Sequence, residues 1–220
     1  MSYTLIRSKC QICSSLSLKF RSHLARFFGG SYHCRHLNKR TADDKQRVAS
    51  INSEAPDCSC EQFRTSRYSP RPVAGSEMLA RFVKTPMHFS KGRFLPSIFS
   101  QISTDGCSVQ REALATSREL ALMLKKLIGG RQSWHGVLTA TAQSVRDIKI
   151  LGKPDRTLCV FDTSNKNNPA HAEMCQTHYV IDQADVLEAR RHLFAVFGNG
   201  HVTTPANYRN GDVLNLLNSM

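Results

Sequence analysis

The sequence predicts an α+β fold: a single small domain with a mixed or antiparallel sheet and two main helices, preceded by a poorly ordered basic N-terminal arm. Three observations lead there. Charge is uneven along the chain, with ten Lys/Arg against two acidic residues in positions 1–50 but thirteen against eleven in positions 101–220. Short apolar runs rich in β-branched and aromatic residues recur between about 78 and 180, as strands do. Two longer stretches, 116–128 and 183–197, carry apolar residues at helical spacing.

In chain order, residues 1–45 read as a basic extension. The first 41 contain no Asp or Glu and are rich in Arg, Ser, His and Leu, a composition shared by organellar transit peptides and by extensions that never fold. Residues 46–77 are polar, with Pro56, Pro70 and Pro72, and read as a linker. The domain is expected over 78–200. "MLARFVK" (78–84) is a strand stopped before Pro86, and "FLPSIF" (94–99) an edge or loop element because Pro96 interrupts it. Over 116–128 Thr116 and Glu119 form a capping box; Leu120, Met123, Leu124 and Leu127 give one apolar face; Gly129 stands where a left-handed cap is wanted. "GVLTATA" (136–142) is a strand followed by a short helix at 144–148. "TLCVF" (157–161) and "AEMCQTHYV" (172–180) are strands, and 183–197 is a helix ended by Gly198. Residues 201–220 are left as a C-terminal tail.

Bulk properties exclude some classes. The 220 residues are 40% hydrophobic, and no apolar run approaches the roughly 20 residues a membrane helix needs, so no membrane partner is expected. The net charge of +13 belongs mainly to the N-terminal third, where it suits nucleic acid or another anionic partner. Residues 1–20 lack a clean apolar core and cleavage site, so a secretory leader is not expected; the eight cysteines then read as free thiols in a reducing, cytoplasmic setting.

Several motifs start and stop short. "CQIC" (10–13) has zinc-knuckle spacing, but Cys34 and His36, or Cys58 and Cys60, complete a four-ligand site poorly, and no metal is assigned. His171-Ala-Glu173 matches half of the zinc-deaminase signature; no cysteine follows Cys175, so the second half is missing. Cys107 or Ser108 with His171 is a conceivable nucleophile and base, without a Gly-x-Ser-x-Gly elbow. "GKPDR" (152–156) lacks the pattern of a phosphate loop. Arg190 and Arg191 read as a solvated helix face. The order Arg81, Ser108, Glu173 on successive strands resembles that of ADP-ribosyltransferases, but their Ser-Thr-Ser strand and Glu-x-Glu turn are not here.

What remains is a polar set at element ends. Arg81, Ser108 and Arg111 are the expected ligand-binding residues, the two arginines neutralising phosphate. His171 is the expected acid/base, its pKa ordinarily near neutrality, with Glu173 two residues on along the same strand face. The expected function is a polar pocket for an anionic ligand, a nucleotide or nucleic acid, possible as an enzyme; the cofactor is unknown. The alternative is a non-enzymatic nucleic-acid-binding or protein-interaction module acting through the basic arm.

The segments "ARFVKTPMHFSKGRFLPSIF", "GCSVQR", "GVLTATAQSVRDI" and "NPAHAEM" occur in this order in a group of uncharacterised bacterial proteins that the chain resembles over about Glu77 to Cys175. The resemblance implies a shared domain in a bacterial cytoplasm and implies no reaction. Arg81, Pro86, Ser108, Arg111, Pro169 and His171 carry it.

Overall fold

A computed structural model of the chain describes residues 49, 51–52, 58–62, 68–153, 156–180, 182–198 and 201–220. The basic arm expected over 1–45, with Cys10, Cys13, Cys34 and His36, lies outside the described residues.

Seven strands are described: β1 (Met78–Thr85), β2 (Phe89–Ser90), β3 (Arg93–Phe94), β4 (Cys107–Arg111), β5 (Ser133–Thr141), β6 (Leu158–Asp162) and β7 (His171–Gln176). Five of them form one sheet in the order β5-β1-β4-β7-β6, and every neighbouring pair is antiparallel. The sheet is therefore antiparallel rather than mixed. β2 and β3 make a separate hairpin beyond β1.

Both faces of the sheet are covered, which explains why β1 is apolar at consecutive positions. Leu79, Val83, Val109, Leu138, Val160 and Met174 point to one face. There they meet the 3-10 segment Pro96–Ser103, helix α2 (Ala142–Arg146) and helix α3 (Gln183–Val196). On the other face Ala80, Phe82 and Val137 pack against helix α1 (Ser117–Leu127) and helix α4 (Asp212–Asn218). Phe82, Trp134 and Tyr208 form a ring triangle there with centroids 5.9–6.1 Å apart.

The capping box of α1 is present in both directions: Glu119 N–H donates to Thr116 Oγ1 and Thr116 N–H to Glu119 Oε2. Such a cap contributes about 1 kcal/mol. The helix end differs from expectation. Ile128 leaves the helix in extended conformation, and the left-handed residue is Gly130 (φ +61°), not Gly129. Gly198 does take the left-handed turn expected after α3 (φ +82°).

Two segments set aside from the sequence are built into the fold. Thr203 bridges Val137 on the β5 edge, and Tyr208 and Val213 are buried in the second core. Gly136 permits that approach, because a Cβ there would overlap Val202 and the Thr203 carbonyl. Periodicity could not find α4: at seven residues it is too short to show a face. The linker likewise returns to the sheet. Val73 joins the first core, and buried Glu61 pairs with Arg146 (2.9 Å) and Arg156 (2.6 Å).

Cys58 and Cys159 are joined in a disulfide. This corrects the expectation of free thiols for these two; Cys107 and Cys175 are buried and outside any disulfide. The returning linker brings the Cα atoms of residues 101 positions apart to 5.5 Å, which no local spacing discloses. Disulfides persist in oxidising surroundings, so this bond and the cytoplasmic setting expected from the sequence pull in opposite directions. Among the described residues no helix is long and apolar enough to cross a membrane.

Candidate functional site

Strands β1 and β4 pair only through Leu79↔Arg111 and Ala80↔Gln110 and then part. Arg81 turns its guanidinium into the fork. Nη1 donates to the Ser108 carbonyl (2.7 Å), Nε to the Ile98 carbonyl (3.1 Å), and Nη2 to Ile98 O (2.9 Å) and Gln101 Oε1 (3.4 Å). The side chain thus replaces the missing ladder bonds. All three acceptors are neutral, so its positive charge meets no carboxylate among them, and one Nη1 proton has no acceptor among the described residues.

A cleft of about 460 Å³ opens along this fork. Arg81, Lys84, His88, Ser108, Gln101 and Gln110 are among its polar lining, and no acidic residue lines it. The Lys84 ammonium has no ion-pair or hydrogen-bond partner among the described residues, and neither has the Ser108 hydroxyl. Burial, and then the nearby charge of Arg81, hold the Lys84 pKa below its ordinary value. His88 is buried with Nδ1 accepting from the Lys84 N–H (3.3 Å). Burial and the charges of Arg81 and Lys84 depress its pKa to about 4, partly offset by a backbone hydrogen bond to Phe82. The imidazole is therefore neutral at pH 7.

Gln110 ends the paired part of β4. It is 4% exposed and borders the cleft, yet neither side-chain amide atom has a hydrogen-bond partner among the described residues. Its amide atoms are not sealed from solvent and open onto the cleft.

The polar set expected from the sequence divides three ways. Arg81 and Ser108 share the cleft. Arg111 lies on the same sheet face as Arg81 but is fully buried at the far end of β4, and all five of its N–H groups are used. Nε and Nη2 grip Glu77 (2.7 and 2.9 Å), Nη1 meets Asp162 (3.0 Å), and the Arg71 (2.9 Å) and Pro72 (3.4 Å) carbonyls take the last two. Ser69 also donates to Asp162. Burial alone would raise the Glu77 pKa, but the hydrogen bonds from Arg111 and Ala74 and the charges of Arg111 and Arg71 leave it lowered. This arginine pins the 69–77 segment to the sheet and has no donor left for a ligand.

His171 and Glu173 are together on β7 as expected, and the register sets Glu173 across from Ser108 and His171 across from Gln110. Neither lines the cleft that holds Arg81 and Ser108. His171 Nδ1 is 2.7 Å from Thr163 Oγ1, so this ring nitrogen is held by its neighbour. Cys107 faces the first core, where burial raises its thiol pKa, and Ser108 alternates to the other side. They cannot serve one site together. Of the pair expected on a solvated face, Arg191 is exposed, whereas Arg190 is only partly so, its Nη2 donating to Ser100 O at 2.9 Å. Cys58, Glu61 and Cys159 have metal-ligand spacing, but the two sulfurs are bonded to each other and the carboxylate is held by two arginines.

Sequence reasoning missed Lys84 and Gln110. Lys84 had a signal, a lysine at the end of an apolar strand just before a proline. Gln110 had a fainter one: a glutamine in the centre of a strand that must be buried on both faces. No protein-family model, curated protein or solved structure matches the chain.

Proposed function

We propose that the protein binds a phosphate-bearing anion in the fork between β1 and β4. The observation that carries this reading is the carboxylate-free convergence of Arg81 and Lys84 on one concave site. Two cations a few residues apart on one strand repel each other and lose hydration on burial; both costs show in the depressed Lys84 pKa. A bound anion would relieve both. The Ser108 hydroxyl and the spare Arg81 N–H add donors suited to phosphate oxygens, and His88, neutral, adds no competing negative charge. Nothing in the cleft commits the site to a reaction: among its lining residues there is no carboxylate base, and His171 and Glu173 stand outside it.

The test is calorimetric titration of the full chain with inorganic phosphate, beside Lys84→Gln. The expected result is saturable binding that Lys84→Gln weakens by about tenfold or more, one charge-assisted hydrogen bond being worth about 1.5–3 kcal/mol. Unchanged binding in the variant would remove the basis of this reading.

A further inference from the structure

The phosphate cleft has a neighbour. A second hollow of about 340 Å³ lies between α1 and the Asn165–Ala170 turn, and the two share Gln110, Met123 and Leu127. Their chemistry differs. The first has the cations; the second is walled by Leu120, Leu122, Met123, Leu127 and Pro169, with the side chains of Asn167 and Asn168 at its rim. Leu122 and Leu127 are 44% and 43% exposed although they belong to a helix whose Leu120 and Leu124 are fully buried. Leu127 and Met123 fall on the apolar face of α1; Met123 packs in part against the second core, and both side chains border the two hollows. The unpartnered amide of Gln110 stands at the junction, open to both sides.

We infer that the two hollows are one site for a nucleoside monophosphate, with phosphate at Lys84 and Arg81, the nucleoside hydrogen-bonded by Gln110, and the base on the Met123–Leu127 wall. This rests on the phosphate reading above and extends it. A primary amide offers a donor and an acceptor in one plane, which matches the edge of a base or the hydroxyls of a sugar. A planar ring covers exposed leucine and methionine side chains as an aliphatic phosphate ester does not. The asparagine amides at the rim supply further uncharged hydrogen-bonding groups. The second hollow contributes one lysine, Lys126, and one carboxylate, Glu119, which is occupied in capping Thr116. A polyanion would thus find its charge matched at one end only, so a single phosphate fits better than a nucleic-acid strand.

The experiment compares three probes on the full chain, inorganic phosphate, ribose 5-phosphate and AMP, by calorimetric titration. AMP is expected to bind at least about tenfold more tightly than either of the others. Gln110→Leu, which keeps volume and removes the amide, is expected to cut AMP affinity about tenfold and phosphate affinity by much less. Asn168→Ala, at the rim, where the amide contacts Met123 Sδ at 3.9 Å, is expected to reduce AMP binding alone by a few-fold. Equal affinities for the three probes, or loss of phosphate and AMP binding in equal measure in both variants, would overturn the nucleoside assignment while leaving the phosphate cleft standing. No binding of any probe would overturn both. A single-stranded oligonucleotide that outcompetes AMP, site for site, would replace the mononucleotide with a polymer.

Discussion

Arg111 and Arg81 project from adjacent strands onto the same side of the sheet, yet one is closed and the other open. Arg111 spends five N–H groups on two carboxylates and two carbonyls, with none exposed. Arg81 spends four on neutral acceptors and faces a hollow without a counter-charge. Both are buried arginines in a sequence, and burial alone would rank them alike. What separates a structural arginine from a recognition arginine is whether the protein supplies the anion itself.

The contrast can be broken at either end, and the closed end gives the larger effects. Arg111→Met strands Glu77 and Asp162 in the core and is expected to cost about 3–5 kcal/mol in urea unfolding. If the variant stays within 1 kcal/mol of the parent, roughly the worth of a surface pair, Arg111 is not the fastener described. Opening the Cys58–Cys159 bond by the double change to serine should cost about 2–4 kcal/mol, as expected for a bond closing a long loop. The same urea series measures it, and an unaltered midpoint would show that the Glu61 ion pairs already hold the segment.

At the open end, Lys84→Gln should leave the melting temperature in place while weakening phosphate binding by about tenfold. A fall in stability comparable to that of Arg111→Met would erase the distinction between the two arginine sites. Acid titration divides them in another way. His88 has a folded pKa below its unfolded value, so the unfolded chain binds more protons and stability falls as pH drops from the unfolded value near 6.5 toward about 4. Glu77 acts the same way lower down: its stabilisation is full above its unfolded pKa and is lost as pH falls through the lowered folded value. Melting temperatures from pH 7 to 3 should therefore decline in two stages, and His88→Gln should remove the first. A first stage that survives the substitution would assign it to another group. The smallest expected effect is on removing residues 1–45. Phosphate affinity should not change, whereas a module working through the basic arm would lose its anion binding along with its steep salt dependence.

Much of the frame was legible. β1, β5, β6 and both main helices fall within a few residues of their expected limits because each carries its own periodicity or cap. The returns of 58–62, 69–77 and 201–213 to the sheet were not, since polar and Pro-containing segments look alike in a linker and in a strap fastened by ion pairs. Of the site, Arg81 and Ser108 could be named from residue type and position. Arg111 could be named too, but its partners Glu77 and Asp162 lie 34 and 51 residues away, beyond any local pattern. Gln110 was passed over because a glutamine becomes informative only when its amide is found without a partner.

The fork between β1 and β4 has a mechanical side. Across it the backbone ladder has two residue pairs, whereas β1–β5 has eight and β6–β7 five. The sheet is two stiff leaves riveted at Leu79–Arg111 and Ala80–Gln110, with Lys84 on one leaf and Ser108 on the other. An anion spanning them, as proposed, would act as a clasp, and amide exchange at the fork is where its closing would first be seen.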